Sequence, residues 1–461
     1  MTRLLSTTAA IAIATFSAPA MAQDSASAEA ELAEMRAQLA AMAARIERLE
    51  AELEAEQAET GAAIAETRAL AGGAAAAAAE AKAAAAESGG DTKVAFKGAP
   101  LIATESGWSF KPRGRLQFDA GFVNVPDETG RPEGWGSEAR RVRLGVSGDM
   151  PGGFGYKFEF DVAGDEIDVN DAILTYETGN LELTVGQHNN FQSLEELTSS
   201  LHISNLERAA FTDAFGFERR VGVSAQYKGD VVIAQGGVFT DNMGDLSNKN
   251  WSMDGRIVAM PKLGSTQLHF GGSAHYSDLE AGATVRYRQR PQVHFTGERF
   301  VNTGTLGADS ETGFGLEAAA IAGRFHVAGE GFWQTLEGPA LPSSPTFFGG
   351  YAEVGMFLTA DSRGYKGGKF DRVKPTGEVG DGGLGAVQIV LRYDYLDLND
   401  GPVIGGQQNA YLASLVWTPT DNTRFLLNYG RIEFDDAVFA GPFGSTSYSA
   451  DVFGLRGQVD F

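Results

Sequence analysis

From residue 108 to residue 461 apolar and polar side chains alternate one for one, in segments of about ten residues separated by Gly, Asn and Asp. RLQFDAGF puts Leu116, Phe118, Ala120 and Phe122 on one face and Arg115, Gln117, Asp119 and Gly121 on the other. RRVRLGVSG sets Val142, Leu144 and Val146 against Arg141, Arg143 and Ser147. GYKFEFDV sets Tyr156, Phe158, Phe160 and Val162 against Lys157, Glu159 and Asp161. The pattern runs on through VQIVLRYDYLDL, AYLASLVWT and RFLLNYGRIEF. A period of two is that of a half-buried β-strand, because successive side chains point to opposite faces. The segment must therefore fold as strands with one apolar and one charged face.

A sandwich packed against itself would show the same alternation. Three features favour a closed barrel in lipid instead. The pattern continues without a domain break, and aromatics recur towards strand ends, as interfacial girdles require. The chain also stops on DVFGLRGQVDF, where Phe453, Leu455, Val459 and Phe461 share a face and Phe is last. That ending looks like the assembly signal of outer-membrane proteins. At roughly 20 residues per strand and connection, about 350 residues give about 16 strands, an even number within the range of bacterial barrels. A barrel that wide has a polar, water-filled interior. The expected fold class is an all-β transmembrane barrel of about 16 antiparallel strands in outer-membrane lipid.

The preceding residues differ in kind. Residues 1–22 read as a signal peptide: Arg3, an apolar run from Leu4 to about Phe16, and Ala20-Met21-Ala22 before Gln23. The run is too short for a spanning helix. Residues 23–70 are expected to form a coiled-coil helix, whose seam is Leu32, Met35, Leu39, Met42, Ile46, Leu49 and Leu53. These positions alternate in steps of three and four, and Ala, Glu and Arg flank them. Leu at several a positions leaves dimer and trimer both open. Residues 71–107 read as an Ala- and Gly-rich linker, and residues 108–461 as the barrel domain.

Composition removes whole classes of function. There is no Cys, so disulfides, thiolate metal sites and Cys nucleophiles are excluded. The six histidines lack metal-ligand spacing, no G-x-S-x-G or P-loop occurs, and GDGGLG at 380–385 reads as a turn. Neither an enzyme nor a cofactor or metal site is expected. A net charge of -23 disfavours nucleic acid as a partner.

Against that acidity VRYRQRP stands out, with Arg286, Arg288 and Arg290 at alternate positions and no acid between them. On a barrel strand they would face the lumen, leaving Val285 and Tyr287 facing lipid. Arginine suits anions, since its planar fork binds phosphate oxygens bidentately and stays charged. The competing role is structural, with arginines pairing acids across the lumen to stiffen the wall. Lys366, Lys369, Arg372 and Lys374 read as a solvated loop. Residues 187–215 depart from alternation. Ser193 and Glu196 there have capping-box spacing, so a short helix is expected in an inward-folded constriction loop. Arg208, Arg219 and Arg220 are placed to reach the pore from that region.

In order and spacing, GRLQFDA (114–120), RRVRLGVSG (140–148), GQHNNFQSLEELTSS (186–200), ERRVGVSAQ (218–226), RYRQRP (286–291), FDRVKP (370–375), LRYDYLDL (391–398) and LLNYGRI (426–432) resemble the phosphate-selective porins O and P of Gram-negative outer membranes. The resemblance implies a homotrimer of 16-stranded barrels with inward-folded loops. It also implies an arginine ladder, here Arg286, Arg288 and Arg290, leading to a central cluster of Arg115, Arg140 and Arg141 with Arg143 nearby. Arg140 lacks lumen parity unless a bulge intervenes. The implied function is an outer-membrane diffusion channel for small anions, phosphate foremost, with the coiled coil in the periplasm. The alternatives are a general or differently selective porin, and a structural protein tethered to peptidoglycan by its coil.

Overall fold

The computed structural model describes residues 36, 37, 40, 44, 45, 48, 92–96, 98–164, 166–246, 248–339, 341 and 343–461. Of the N-terminal unit, Arg36, Ala37, Ala40, Ala44, Arg45 and Arg48 are helical and exposed. The coiled-coil seam and the signal peptide lie outside the described residues.

The second unit, residues 89–461, contains sixteen long antiparallel strands. They are β1 (Ser109–Asn124), β2 (Gly134–Met150), β3 (Phe154–Asp161), β4 (Asp168–Thr178), β5 (Leu181–Asn189), β6 (Arg219–Lys228), β7 (Val232–Phe239) and β8 (Trp251–Ala259). There follow β9 (Thr266–Asp278), β10 (Ser310–Ala322), β11 (Phe325–Glu337), β12 (Thr346–Phe357), β13 (Ala386–Asp400), β14 (Val403–Thr420), β15 (Thr423–Asp435) and β16 (Tyr448–Asp460). Each pairs with the next, and β16 pairs with β1 from Asp460↔Arg115 to Asp451↔Asn124, so the sheet closes. Closure satisfies every edge, as lipid requires. The terminal residue completes the seam: Phe461 and Gly114 exchange backbone hydrogen bonds of 3.0 and 3.2 Å.

Burial is inverted relative to a soluble protein. Phe118, Leu144, Phe314, Leu316, Tyr411 and Tyr429 are exposed, while Asp119, Arg256, Glu353, Arg392 and Arg456 are buried. Water would penalise that outer surface and lipid would not. The apolar face of the alternation is thus the outside of the barrel.

The two rims differ. On one, tight turns such as Gly179–Asn180 and Gly323–Arg324 join the strands, with Gly179 and Gly323 at φ 57° and 55° as such turns demand. The other rim carries long connections, notably residues 190–218 and 279–309, and both fold inward. Residues 358–385, on the tight-turn rim, also turn inward. There Tyr365 meets His269 at 2.6 Å, and Gly368 O accepts from Arg256 at 2.8 Å.

The apolar core sits inside the barrel, on one side. Leu194, Phe211 and Phe215 of the first long connection and Tyr287, Val293 and Phe300 of the second pack on Phe332, Phe347, Leu396, Ile432 and Phe434 of the wall. Two lumen-facing glycines permit this contact. A Cβ at Gly349 would lie 2.4 Å from Phe211 Cβ, and one at Gly454 would lie 2.1 Å from Leu206 Cδ1. Residues 92–96 and 100–104, expected as the end of the linker, form a hairpin that joins the start of β1 through Ile102↔Phe110.

Candidate functional site

The connection 190–218 lies across the lumen and is fastened at three places. The short helix starts where expected: helix α1 (Leu194–Leu197) begins at Ser193, whose Oγ accepts from Glu196 N at 3.2 Å, while the Glu196 carboxylate turns to Arg208 at 3.3 Å rather than back to Ser193 N. The unpaired amides of that first turn find a carboxylate on the wall. Glu330 of β11 accepts from Ser193 Oγ at 2.9 Å, Leu194 N at 2.9 Å and Glu195 N at 2.7 Å. Helix α2 (Ala210–Ala214) starts in the same way, its Ala210 N donating to Asp394 of β13 at 3.1 and 3.2 Å. Between the helices, main-chain carbonyls face side-chain donors. Arg424 donates to Leu201 O (3.0 Å) and Ile203 O (2.6 Å), Arg363 to His202 O (2.5 Å), and Gln117 to Ser200 O (3.1 Å). Burial, together with Arg372, Arg424, Arg363 and Arg115, pushes His202 well below its ordinary pKa, so it remains neutral.

Arg392 joins the connection to the wall through Glu195 (2.8 Å) and Glu353 (2.6 Å), its guanidinium 4.2 Å from the centre of the Tyr351 ring. Arg208 turns back onto its own connection, donating to the carbonyls of Glu195, Glu196 and Thr198 at 3.0, 3.2 and 2.9 Å. It is a brace more than a free charge.

The remaining expected arginines divide by partner. Arg140 is the extra residue of a β-bulge, since the register of β1 on β2 steps from Gln117↔Arg141 to Phe118↔Ala139. The bulge turns Arg140 to the lumen, where it grips Glu207 with two bonds of 2.9 and 3.0 Å. Burial opposes ionisation of Glu207, but Arg140, Arg456 and Arg141 hold its carboxyl well below the usual range. Arg143 meets Asp161 at 2.8 Å and Glu159 at 3.2 Å, Arg219 meets Asp171 at 3.0 Å, and Arg220 meets Asp241 at 3.2 Å. Among the described residues Arg115 and Arg141 have no carboxylate partner. Arg115 donates to Ser200 Oγ at 2.8 Å and Arg141 to Gln117 Oε1 at 3.0 Å.

The triplet requires a correction. Arg286, Arg288 and Arg290 lie on a small hairpin within the connection 279–309, not on a barrel strand. Its alternation separates water from the loop's own core, so Val285 and Tyr287 do not face lipid. Val285 packs at the edge of the inner core. The Tyr287 ring centre lies 5.3 Å from Phe215 and 5.5 Å from Phe347, and its OH donates to Glu311 at 2.5 Å. Arg286 and Arg288 are exposed on the other face. Arg286 donates to Asn302 Oδ1 at 2.9 Å, while Arg290 reaches Thr296 O at 3.2 Å and Asp213 at 3.5 Å.

Two cavities flank α1. The outer one, of about 570 Å³, brings together Arg140, Arg141, Arg208, Arg219 and Arg290; Arg115, Arg143, Arg220, Arg286 and Arg288 do not line it. Glu196 of α1 faces it, and the next residue, Leu197, faces the second cavity of about 970 Å³. There Lys228, Lys262, Lys366 and Lys369 stand with Arg256. Lys366 and Lys369 therefore line the lumen, whereas Arg372 is paired with Asp460. Arg392, Arg424, Arg456, Glu330 and Asp394 were not among the expected site residues. For Arg392, Asp394, Arg424 and Arg456 lumen parity within quoted strands was the available signal, whereas Glu330 lies in a strand not quoted.

This architecture has counterparts among known proteins. The trimer form of OmpT, an outer membrane protein of Vibrio cholerae, superposes with a TM-score of 0.52 at 11% identity, over 77% of this chain and 100% of that one. A second OmpT structure gives 0.51 at 12%, over 77% and 98%. These likenesses concern the fold. An uncharacterized protein of Caulobacter vibrioides is 47% identical over 384 residues, spanning 80% of this chain and 77% of its own. The sequence model of the phosphate-selective porin O and P family matches residues 110–461, the whole barrel with its inward loops. The lumen is that of an outer-membrane channel, and the chain belongs to the phosphate-selective porin O and P family.

Proposed function

We propose that the channel passes small anions by diffusion, phosphate foremost, along Arg286, Arg288 and Arg290 and then past Arg141 and Arg115. One observation carries this: these are the expected arginines left without a close carboxylate among the described residues, apart from the 3.5 Å approach of Arg290 to Asp213. The others, Arg140, Arg143, Arg208, Arg219 and Arg220, each meet an acid and act as struts. An anion moving between unpaired guanidinium groups exchanges one partner for the next without full release, and conduction needs such weak, multi-site binding. Family membership agrees with this substrate.

The test is electrical. Reversal potentials of the purified protein in a potassium chloride gradient should show anion preference, and phosphate should block the chloride current. Cation preference without phosphate block would sink the proposal. We also propose a trimeric assembly, in line with the trimer form of the Vibrio cholerae neighbour. Light scattering in detergent that returned a single-chain mass would remove it.

A further inference from the structure

We infer that the outer cavity recognises small zwitterions, molecules with a phosphate or carboxylate at one end and an ammonium a few bonds away, in preference to bare anions. The inference rests on the anion-channel reading and adds an oppositely charged half to the same lumen. The cationic half comprises Arg141, which meets no carboxylate, and Arg290, whose acid lies 3.5 Å away. Glu166, Asp168, Glu218 and Asp245 line the same cavity, and none of them forms an ion pair among the described residues. They come from the β3–β4 connection, the start of β4, the residue before β6 and the β7–β8 connection. The arginines and acids that neutralise each other here do so within the loop and wall, as Arg140–Glu207 and Arg208–Glu196 do. What is left over is charge of both signs, not neutralised, on the lining of one cavity.

A second, independent observation points to a solute in this space. Gln292, Gln289 and Asn170 line the cavity with side chains that are 2%, 2% and 8% exposed. Gln292 Oε1 and Nε2, Gln289 Oε1 and Asn170 Nδ2 have no hydrogen-bond partner among the described residues. A buried amide left unpaired is unfavourable, so a solute that drew these side chains towards the cavity would relieve them. Gln292 is moreover at φ 58°, a backbone region that glutamine rarely adopts and that tends to mark functional positions. A volume of about 570 Å³ suits a small organic molecule with two ends. A bare phosphate near Arg141 would be repelled by the four acids, and a bare cation by the arginines. A zwitterion offers the arginines and the acids each a partner of the correct sign.

The test compares two blockers of nearly the same shape, O-phosphoethanolamine and n-propyl phosphate, which differ in ammonium against methyl. In bilayer recordings of the full chain, phosphoethanolamine should block the chloride current at about tenfold lower concentration, as expected for two or more solvated ion pairs. In the double variant Asp168→Asn/Asp245→Asn that preference should collapse towards unity, while block by inorganic phosphate should strengthen because repulsion is lost. Equal block by the two compounds in the unaltered channel would overturn the inference alone, as would an undiminished preference in the double variant. Cation preference in a salt gradient would overturn the anion-channel reading, and the inference with it.

Discussion

The two long inward connections, residues 190–218 and 279–309, are of similar length, and the first carries one arginine while the second carries several, yet they treat charge in opposite ways. The first is fastened by charge. Carboxylates of the wall seat both of its helix starts, Arg424 of the wall and Arg363 of the connection 358–385 hold its carbonyls, and its own Arg208 bends back on it. The second is fastened mainly by apolar contact, through Tyr287, Val293, Phe300 and Val301, and it leaves Arg286 and Arg288 in water. An arginine count cannot distinguish these cases. The pairing state can: a guanidinium committed to a buried acid is spent on architecture, and one left to water remains able to bind a passing anion.

The strongest way to break this contrast is Arg392→Ala. The change leaves Glu195 and Glu353 buried without their common partner, and breaking such a pair typically costs about 3–5 kcal/mol. Because Glu195 belongs to α1 and Glu353 to the wall, the loss should fall on the attachment of the first connection. The barrel should resist thermal unfolding less well, and open-channel current should become noisier as the loop moves. A quiet channel with unchanged thermal stability would mean that the connection is held by its apolar contacts alone.

Replacing Arg286, Arg288 and Arg290 together with Ala probes the other side. Solvated arginines contribute little to folding, about 0–1 kcal/mol each, so thermal stability should scarcely change. Anion preference should fall and phosphate block should weaken severalfold. If the triple variant conducts anions as before, these arginines are struts like the rest and the distinction between the two loops disappears.

How much of this was legible beforehand follows from what alternation encodes. Period two gave the strand faces correctly for RLQFDAGF, RRVRLGVSG and GYKFEFDV, because in a barrel one face is always lipid. It misled at VRYRQRP, where an equally clean alternation divides water from a loop core; nothing local in Val285 or Tyr287 separates lipid from a buried phenylalanine cluster. Arg140 was readable only conditionally, since a bulge changes parity without leaving a mark in composition. The helix start at Ser193 was local and therefore legible. The partner of that helix start, Glu330, lies 137 residues away in sequence and was not. Pairing across a barrel depends on long-range register, and spacing alone does not reveal it. The same holds for Gly349 and Gly454, whose missing side chains make room for the first connection.

The smallest expected effect comes from the group that ends the first connection and shares the outer cavity with Arg290 of the second. Glu218 is open to the cavity water, yet protein surrounds that cavity. Enclosure raises its carboxyl to about 7, with Arg220 opposing and Asp245, Asp241 and Glu311 adding to the rise. Above that value Glu218 is charged and repels anions at the mouth; below it the group is neutral and the repulsion is gone. Lowering the pH from about 8 to about 6 should therefore raise anion preference, by about twofold at low ionic strength, with salt screening the change away. Glu218→Gln should remove the step and leave preference at the acidic plateau throughout. A step that survives in this variant would belong to another group lining the cavity. Glu218 would then count with the struts, and the boundary between structural and functional charge would have to be redrawn inside the cavity.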